Sequence, residues 1–169
     1  MTISIIVATD KNGGIGVKGQ LPWPKLKLDM DLFRRKTMNE IVIMGRKTYE
    51  SLPNGLPGRM VYVLTRDRSI KPNPHFNLFI FDNLVNALAQ AKDYQRDVWI
   101  CGGAEVYREA LPIADEIHLT MVQEEYPDCD RFFPMTVLGE WREQGFPMPA
   151  IGETSPAYEF RRYIRHFTR

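Results

Sequence analysis

A chain of 169 residues fits one domain with room for a proper core, and 44% hydrophobic with 25% charged residues is the balance of a folded globular protein rather than a disordered one. The formal net charge of +1 supplies no field that would draw nucleic acid or an anionic membrane surface, so neither is expected as a partner and small-molecule chemistry is the default. Cys101, Cys129, His75, His118 and His166 lack the spacing of a metal site or a disulfide framework, which suits a reducing cytoplasm and no metal.

The first element is Ile3 to Ala8, β-branched and apolar. It is too short to span a membrane and has no basic flank that would make it a leader, so it reads as a buried strand. It stops at the turn cluster Asp10-Lys11-Asn12-Gly13-Gly14, and a mobile loop is expected from there through Gly16 and Gly19 to Leu21. A helix follows, with Pro24 placed in its first turn. Advancing about 100° per residue sets Leu26, Met30, Phe33 and Thr37 in one inward stripe and Lys27, Asp31, Arg34 and Arg35 on the solvated arc. Asp29 falls beside the apolar stripe. A carboxylate there is a first-turn acid favoured by the macrodipole, a surface residue at a slightly different helical phase, or a chemical group, and the wheel does not choose between them.

Ile41 to Met44 is a strand ending on Gly45-Arg46, followed by a short helix from Lys47 to Leu52 and a surface loop, Pro53-Asn54-Gly55-Leu56-Pro57-Gly58. Met60 to Leu64 and Asn77 to Phe81 are strands, Asn83 to Lys92 a helix, Val98 to Cys101 a strand ending on Gly102-Gly103, and Glu105 to Ala110 a helix. Ile117 to Val122 and Tyr158 to Phe167 are the last strands. This alternation predicts an α/β fold in a single domain over residues 1–169. Its central sheet is mixed and mostly parallel, with about eight strands flanked by about four helices, and the helix-less final strands pair antiparallel at one edge. Arg161 to His166 alternates cations with apolar residues as an edge strand does, which argues against a nucleic-acid tail.

In such sheets ligands bind beyond the carboxyl ends of the strands, and three of those ends carry anion-binding features. After Met44, Gly45 permits close backbone approach, and Arg46, Lys47 and Thr48 bring two cations and a hydroxyl to a helix start. After Leu64 stand Thr65 and Arg66. After Cys101, Gly102-Gly103-Ala104 opens a helix whose unpaired N–H groups suit a pyrophosphate. Together they suggest a dinucleotide with an extra phosphate, although the chain has neither a GxGxxG fingerprint after its first strand nor a P-loop.

Several motifs stand in a fixed order: Ile15-Gly16, Leu21-Pro22-Trp23, Asp29-x-x-x-Phe33-x-x-x-Thr37, Met44-Gly45-Arg46-Lys47-Thr48, Leu56-Pro57-Gly58-Arg59, Gly102-Gly103-Ala104-Glu105-Val106-Tyr107 and Phe132-Phe133-Pro134. In order and approximate spacing the chain resembles dihydrofolate reductases of the bacterial or phage type along nearly its whole length. The resemblance implies an NADPH-dependent reduction of 7,8-dihydrofolate to tetrahydrofolate in the cytoplasm, by a monomer whose pterin site also takes inhibitors. It implies that Asp29 bonds the 2-amino group and N3 of the pterin and favours protonation at N5, with water as the immediate donor. Thr120 matches a threonine that supports this contact, Trp23 matches a residue that holds an ordered water near the carboxylate, and Leu21 is counted with them among the catalytic positions.

Ile6, Leu21, Met30, Phe33, Leu52 and Leu56 match the apolar walls around the pterin and its benzoyl ring. Arg59 matches the fork on the α-carboxylate of the substrate's glutamate. Cys101 stands where the family usually has Ile or Val, at a position whose carbonyl faces the pterin and its inhibitors. On the cofactor side, Ala8 and Ile15 match positions that contact the nicotinamide, and Val7 and Gly16 are further cofactor-binding positions. Arg46, Thr65 and Arg66 match the region of the adenosine 2′-phosphate, Lys47 and Thr48 the pyrophosphate side, and Gly45 and Leu64 are further cofactor-binding positions. Gly102, Gly103, Ala104, Glu105, Val106 and Tyr107 match the glycine pair and the helix after it, with a cis bond between the two glycines.

Asp130 resembles the carboxylate that pins the first loop near Gly16. One residue more than the common bacterial pattern stands between Trp23 and Asp29, at Pro24-Lys25-Leu26-Lys27-Leu28. A pyrimidine reductase of flavin biosynthesis is the alternative within the fold, but it has no need of Arg59 as a carboxylate fork.

Overall fold

The computed structural model describes residues 1–52, 55–67, 69–70, 77–152 and 156–166. Pro53 and Asn54 of the expected surface loop, His75, and Phe167 at the end of the expected last strand lie outside the described residues. Six strands run parallel: β1 (Ile3–Thr9), β3 (Ile41–Gly45), β4 (Met60–Leu64), β5 (Leu78–Phe81), β6 (Val98–Ile100) and β7 (Glu116–Val122). Their spatial order is β7-β1-β6-β3-β4-β5. β11 (Tyr158–Arg165) pairs antiparallel with β7, and the short β9 (Trp141–Glu143) and β10 (Met148–Pro149) pair antiparallel with β11. The sheet therefore has nine strands, mostly parallel with an antiparallel C-terminal edge, as the alternation of elements predicted. Among the described residues four α-helices accompany it: α1 (Lys27–Thr37), α2 (Arg46–Glu50), α3 (Leu84–Ala91) and α4 (Ala104–Ala110).

Side chains alternate across the sheet and divide the core. On one face Ile5, Ile41, Ile43, Tyr62, Val98, Ile100, Ile117 and Leu119 pack with Leu84, Ala87 and Ala91 of α3 and Val106, Tyr107 and Ala110 of α4. On the other, Val42, Met44, Val61, Val63 and Trp99 form a smaller cluster. β3 and β4 are covered on both sides, which is why their sequences are continuous apolar runs. Among the described residues no helix is long and apolar enough to cross a membrane.

Two local expectations need correction. The helix placed from Pro24 begins at Lys27, with Leu26 as its N-cap. A proline disfavours helical backbone at the residue before it, and Trp23 lies in a bend before the helix. Leu26 then drops into a satellite cluster with Trp23, Val122, Ala150 and Tyr158, and the Tyr158 hydroxyl accepts from the Leu28 N–H at 3.2 Å. The inward stripe is also incomplete: Leu26 and Thr37 are buried and Phe33 half-buried, but Met30 is 49% exposed.

The second correction concerns the glycine-rich segment after β1, in which Gly14–Gly16 is a paired strand rather than loop. β2 (Gly14–Gly16) pairs with β8 (Arg131–Phe132), and a Cβ on Gly14 would stand 2.5 Å from the Cys129 Sγ. Its glycine is required by close approach, not by mobility. Asp130 ties the segment down at two points: its N–H donates to the Gly16 carbonyl at 2.9 Å, and its carboxylate accepts from the Lys18 N–H at 3.0 Å.

Candidate active site at the strand ends

Parallel pairing brings the carboxyl ends of six strands to one edge of the sheet. The chain passes from β1 to β3, on to β4 and β5, and returns to insert β6 between β1 and β3. The crevice beyond β1, β6 and β3 is thus the switch point at which open α/β sheets take their ligands. Thr120 lies in β7 beside Ala8 of β1 and is 4% exposed. Its Oγ1 donates to Asp29 Oδ1 at 2.6 Å. Asp29 sits in the first turn of α1 and is half-buried; the hydroxyl fixes one carboxylate oxygen by a short charge-assisted bond.

Next to this pair the end of β6 and the start of α4 are built around two glycines. The Gly102-Gly103 peptide bond is cis, as the resemblance implied, and Gly102 has φ of 104°, a backbone region that L side chains rarely adopt. A Cβ there would meet the Tyr107 ring at 3.1 Å, and the Tyr107 hydroxyl donates to the Ile6 carbonyl at 2.9 Å. Burial, followed by the neighbouring Cys101 and Asp29, holds the Tyr107 hydroxyl well above its ordinary pKa. The Gly45 N–H donates to the Gly102 carbonyl at 2.8 Å. A Cβ on Gly103 would lie 3.5 Å from Thr48 Oγ1, and one on Gly45 would lie 3.5 Å from Val106. Gly45, Thr48, Gly102, Gly103, Val106 and Tyr107 are therefore one neighbourhood, with Ala104 buried and Glu105 exposed at the helix start.

Beside β3 and β4 the cations are exposed and partly engaged. Arg46 bonds Glu50 at 3.1 Å and lies 3.8 Å from Asp67, while Lys47 and Arg66 face solvent. Thr65 is half-buried and accepts the Asp67 N–H at 3.0 Å. Leu64 and Ile15 are half-buried against the principal core, within which Val7 is fully packed, and Gly16 is buried.

The apolar residues expected around a ligand separate into two groups. Ile6, Leu52, Leu56 and Cys101 pack together against the smaller face cluster. Leu21, at 62% exposed, and Met30 project into solvent. Trp23 is buried, with its ring edge-on to Tyr126 at 5.8 Å between centroids. Burial raises the Cys101 thiol's pKa, against the lowering effect of the Arg59 charge.

Arg59 is the least ordinary group of the set. It is 6% exposed, its Nε has no hydrogen-bond partner among the described residues, and an Nη contacts the Met38 sulfur at 4.0 Å. Burial and then Arg34 lower its pKa, with a small opposing effect from Cys101. A buried guanidinium without a carboxylate is costly. An arrangement of this kind is complementary to an anion.

Reasoning from composition and periodicity alone did not find Thr120 or the Tyr107 bond to Ile6, because both join residues distant in sequence; only the resemblance pointed to those positions. Asp10 stands in a turn cluster whose composition carries no sign of its burial.

A parallel sheet with glycines, hydroxyls and cations gathered at one switch point, and an anchored carboxylate beside them, defines an α/β enzyme of the nucleotide-binding class. The comparisons narrow this further. The chain belongs to the dihydrofolate reductase family, whose model matches residues 2–165. It is 39% identical to the dihydrofolate reductase of Haemophilus influenzae over 141 residues, covering 83% of this chain and 84% of that protein. Dihydrofolate reductase type 8 of Escherichia coli is 41% identical over 125 residues, 72% of this chain and 74% of that protein. Among solved structures, a dihydrofolate reductase from Enterococcus faecalis complexed with NADP(H) and RAB-propyl superposes with a TM-score of 0.86 at 28% identity, covering 98% of this chain and 96% of the other.

Proposed function

We propose that this chain reduces 7,8-dihydrofolate to 5,6,7,8-tetrahydrofolate with NADPH, and so supports one-carbon metabolism and the synthesis of thymidylate, purines and glycine. It acts as one dihydrofolate-reductase-like domain over residues 1–169, a monomer of the cytoplasm with no membrane or nucleic-acid partner, whose pterin site also takes inhibitors. The observation that carries the reading is the Asp29 carboxylate, held by Thr120 at 2.6 Å beside the strand ends.

The residues present fit a phosphorylated dinucleotide. Gly45 and Gly103 keep side chains out of the neighbourhood of Thr48 and the α4 start, and Arg46, Lys47 and Arg66 offer charge at the adjoining strand ends. When bound, NADPH supplies the hydride for C6 of the pterin. Gly102, Gly103, Ala104, Glu105, Val106 and Tyr107, with Lys47 and Thr48, would hold its pyrophosphate and nicotinamide parts. Arg46, Thr65 and Arg66, with Gly45 and Leu64, would hold its 2′-phosphate. Val7, Ala8, Ile15 and Gly16 would flank the nicotinamide.

Asp29 binds the 2-amino group and N3 of the pterin, fixing the ring for transfer, and its charge favours a proton at N5. Thr120 keeps the carboxylate in that orientation, and Trp23 holds an ordered water near it. Ile6, Met30, Phe33, Leu52, Leu56 and the backbone at Cys101 enclose the ring system, and Arg59 receives the glutamate carboxylate as a bidentate partner.

The test is NADPH oxidation with dihydrofolate in the wild type and in Asp29→Asn. The variant binds NADPH nearly normally and loses most of its turnover, least at low pH where solution supplies the proton. Unchanged turnover at neutral pH overturns the assignment of Asp29.

A further inference from the structure

A buried acid outside the strand-end site joins the two loops that flank it. Asp10 closes β1, is 1% exposed, and its carboxylate is used on both oxygens. Oδ1 accepts from the N–H of Asn12 at 2.8 Å and of Gly14 at 2.7 Å, both in the turn into β2. Oδ2 accepts from the N–H of Tyr126 at 2.8 Å, in the segment between β7 and β8. A second strut, from the Lys11 N–H to the Glu124 carbonyl at 3.3 Å, runs beside it.

The turn itself needs only Oδ1. The bond from Oδ2 crosses 116 residues of sequence and reaches the residue whose ring stands edge-on to Trp23. Beyond that contact, Leu21 and Pro22 share a groove with Tyr126 and Pro127. A continuous path thus runs from Asp10 through Tyr126 to the segment that carries Leu21 and Trp23. A carboxylate accepting three backbone N–H groups is a stronger and stiffer tie than a neutral side chain supplies.

We infer that Asp10 is a positioning residue for the reaction: through Tyr126 it sets the placement of Trp23 and Leu21 over the pterin end of the site. The inference rests on the reductase reading. It accounts for a buried carboxylate that accepts three backbone N–H groups where a simple turn would have left it in water.

Asp10→Asn separates the two oxygens. The amide oxygen still serves Asn12 and Gly14, whereas the amide NH2 faces the Tyr126 N–H, donor against donor. Misplacement by about an ångström costs up to about a hundredfold in rate. The rate of hydride transfer in a single turnover is therefore expected to fall about tenfold, with NADPH affinity changed less than about twofold. Tyr126→Ala keeps the N–H but removes the ring, and slows transfer by a similar factor while leaving thermal stability near the wild type.

Because both changes cut the same path, the double variant is slowed no more than about twofold beyond the slower single variant. Transfer at the wild-type rate in either folded variant, or losses that multiply in the double variant, overturns the inference. If Asp10→Asn does not fold, Tyr126→Ala alone decides, by the same comparison of rate and stability. Wild-type protein that does not oxidise NADPH with dihydrofolate sinks the reductase reading instead, which keeps the two failures distinct.

Discussion

Removing the Thr120 hydroxyl isolates the contribution of carboxylate orientation, because Thr120→Val keeps the branched shape and deletes only the donor. Thr120 is buried, and its 2.6 Å bond to Asp29 joins residues 91 apart in sequence. Hydrogen bonds to charged groups contribute roughly 1.5–3 kcal/mol. With about 1.4 kcal/mol per factor of ten, loss of this bond should lower kcat/KM for dihydrofolate by roughly 10- to 150-fold. NADPH affinity should stay within about twofold, since the cofactor motifs lie on other strand ends. The assay is steady-state NADPH oxidation against dihydrofolate at neutral pH, with cofactor binding followed separately by fluorescence. Combining Thr120→Val with Asp29→Asn should cost little beyond the aspartate change alone, because the hydroxyl acts through that carboxylate. A folded Thr120→Val protein within about threefold of the wild type would refute the reasoning, leaving the bond as a structural contact without consequence for turnover.

Two further outcomes follow from buried charge. Arg59→Ala should raise KM for dihydrofolate by about thirtyfold or more, the scale expected when one partner of a buried charge pair is removed, while a dihydropterin lacking the glutamate tail is bound as before; equal losses for both remove the fork. Burial holds the His118 imidazole below its ordinary pKa of 6.5 despite the opposing pull of Glu116, with Lys36 and Arg162 adding to the lowering. Once pH falls below 6.5 the unfolded chain binds a proton that the native state resists. Stability then declines from there down to the depressed folded value. Urea midpoints compared at neutral and mildly acidic pH should fall more in the wild type than in His118→Gln, and parallel declines would rule out His118 as the source. Glu116, also held below its ordinary value, contributes only at more acidic pH.

The α/β order was legible because each element carries its own local signal. β3 and β4 are short apolar runs, α3 has an Asn83 side chain that accepts from the Asn86 N–H at 2.9 Å, and the turns carry glycine. The strand-end glycines and cations were legible for the same reason. β2, β8, β9 and β10 span only two or three residues each, too few for a period-2 pattern, and they exist because a partner strand lies beside them. Met30 illustrates a different limit: the wheel set its angle correctly, but burial depends on what packs against the helix, and nothing in α1 encodes that.

Thus the sequence by itself determined the parallel core, the placement of glycines, hydroxyls and cations at its carboxyl edge, and a carboxylate near the start of the first helix, all properties of residues close together in the chain. Tertiary structure alone decided that Thr120 meets Asp29, that Arg59 is buried with no carboxylate partner among the described residues, that Gly14 packs against Cys129, and that Asp10 bridges two loops. Those depend on which distant backbone lies within about 3 Å of a polar atom. Chain-local periodicity carries no information at that range.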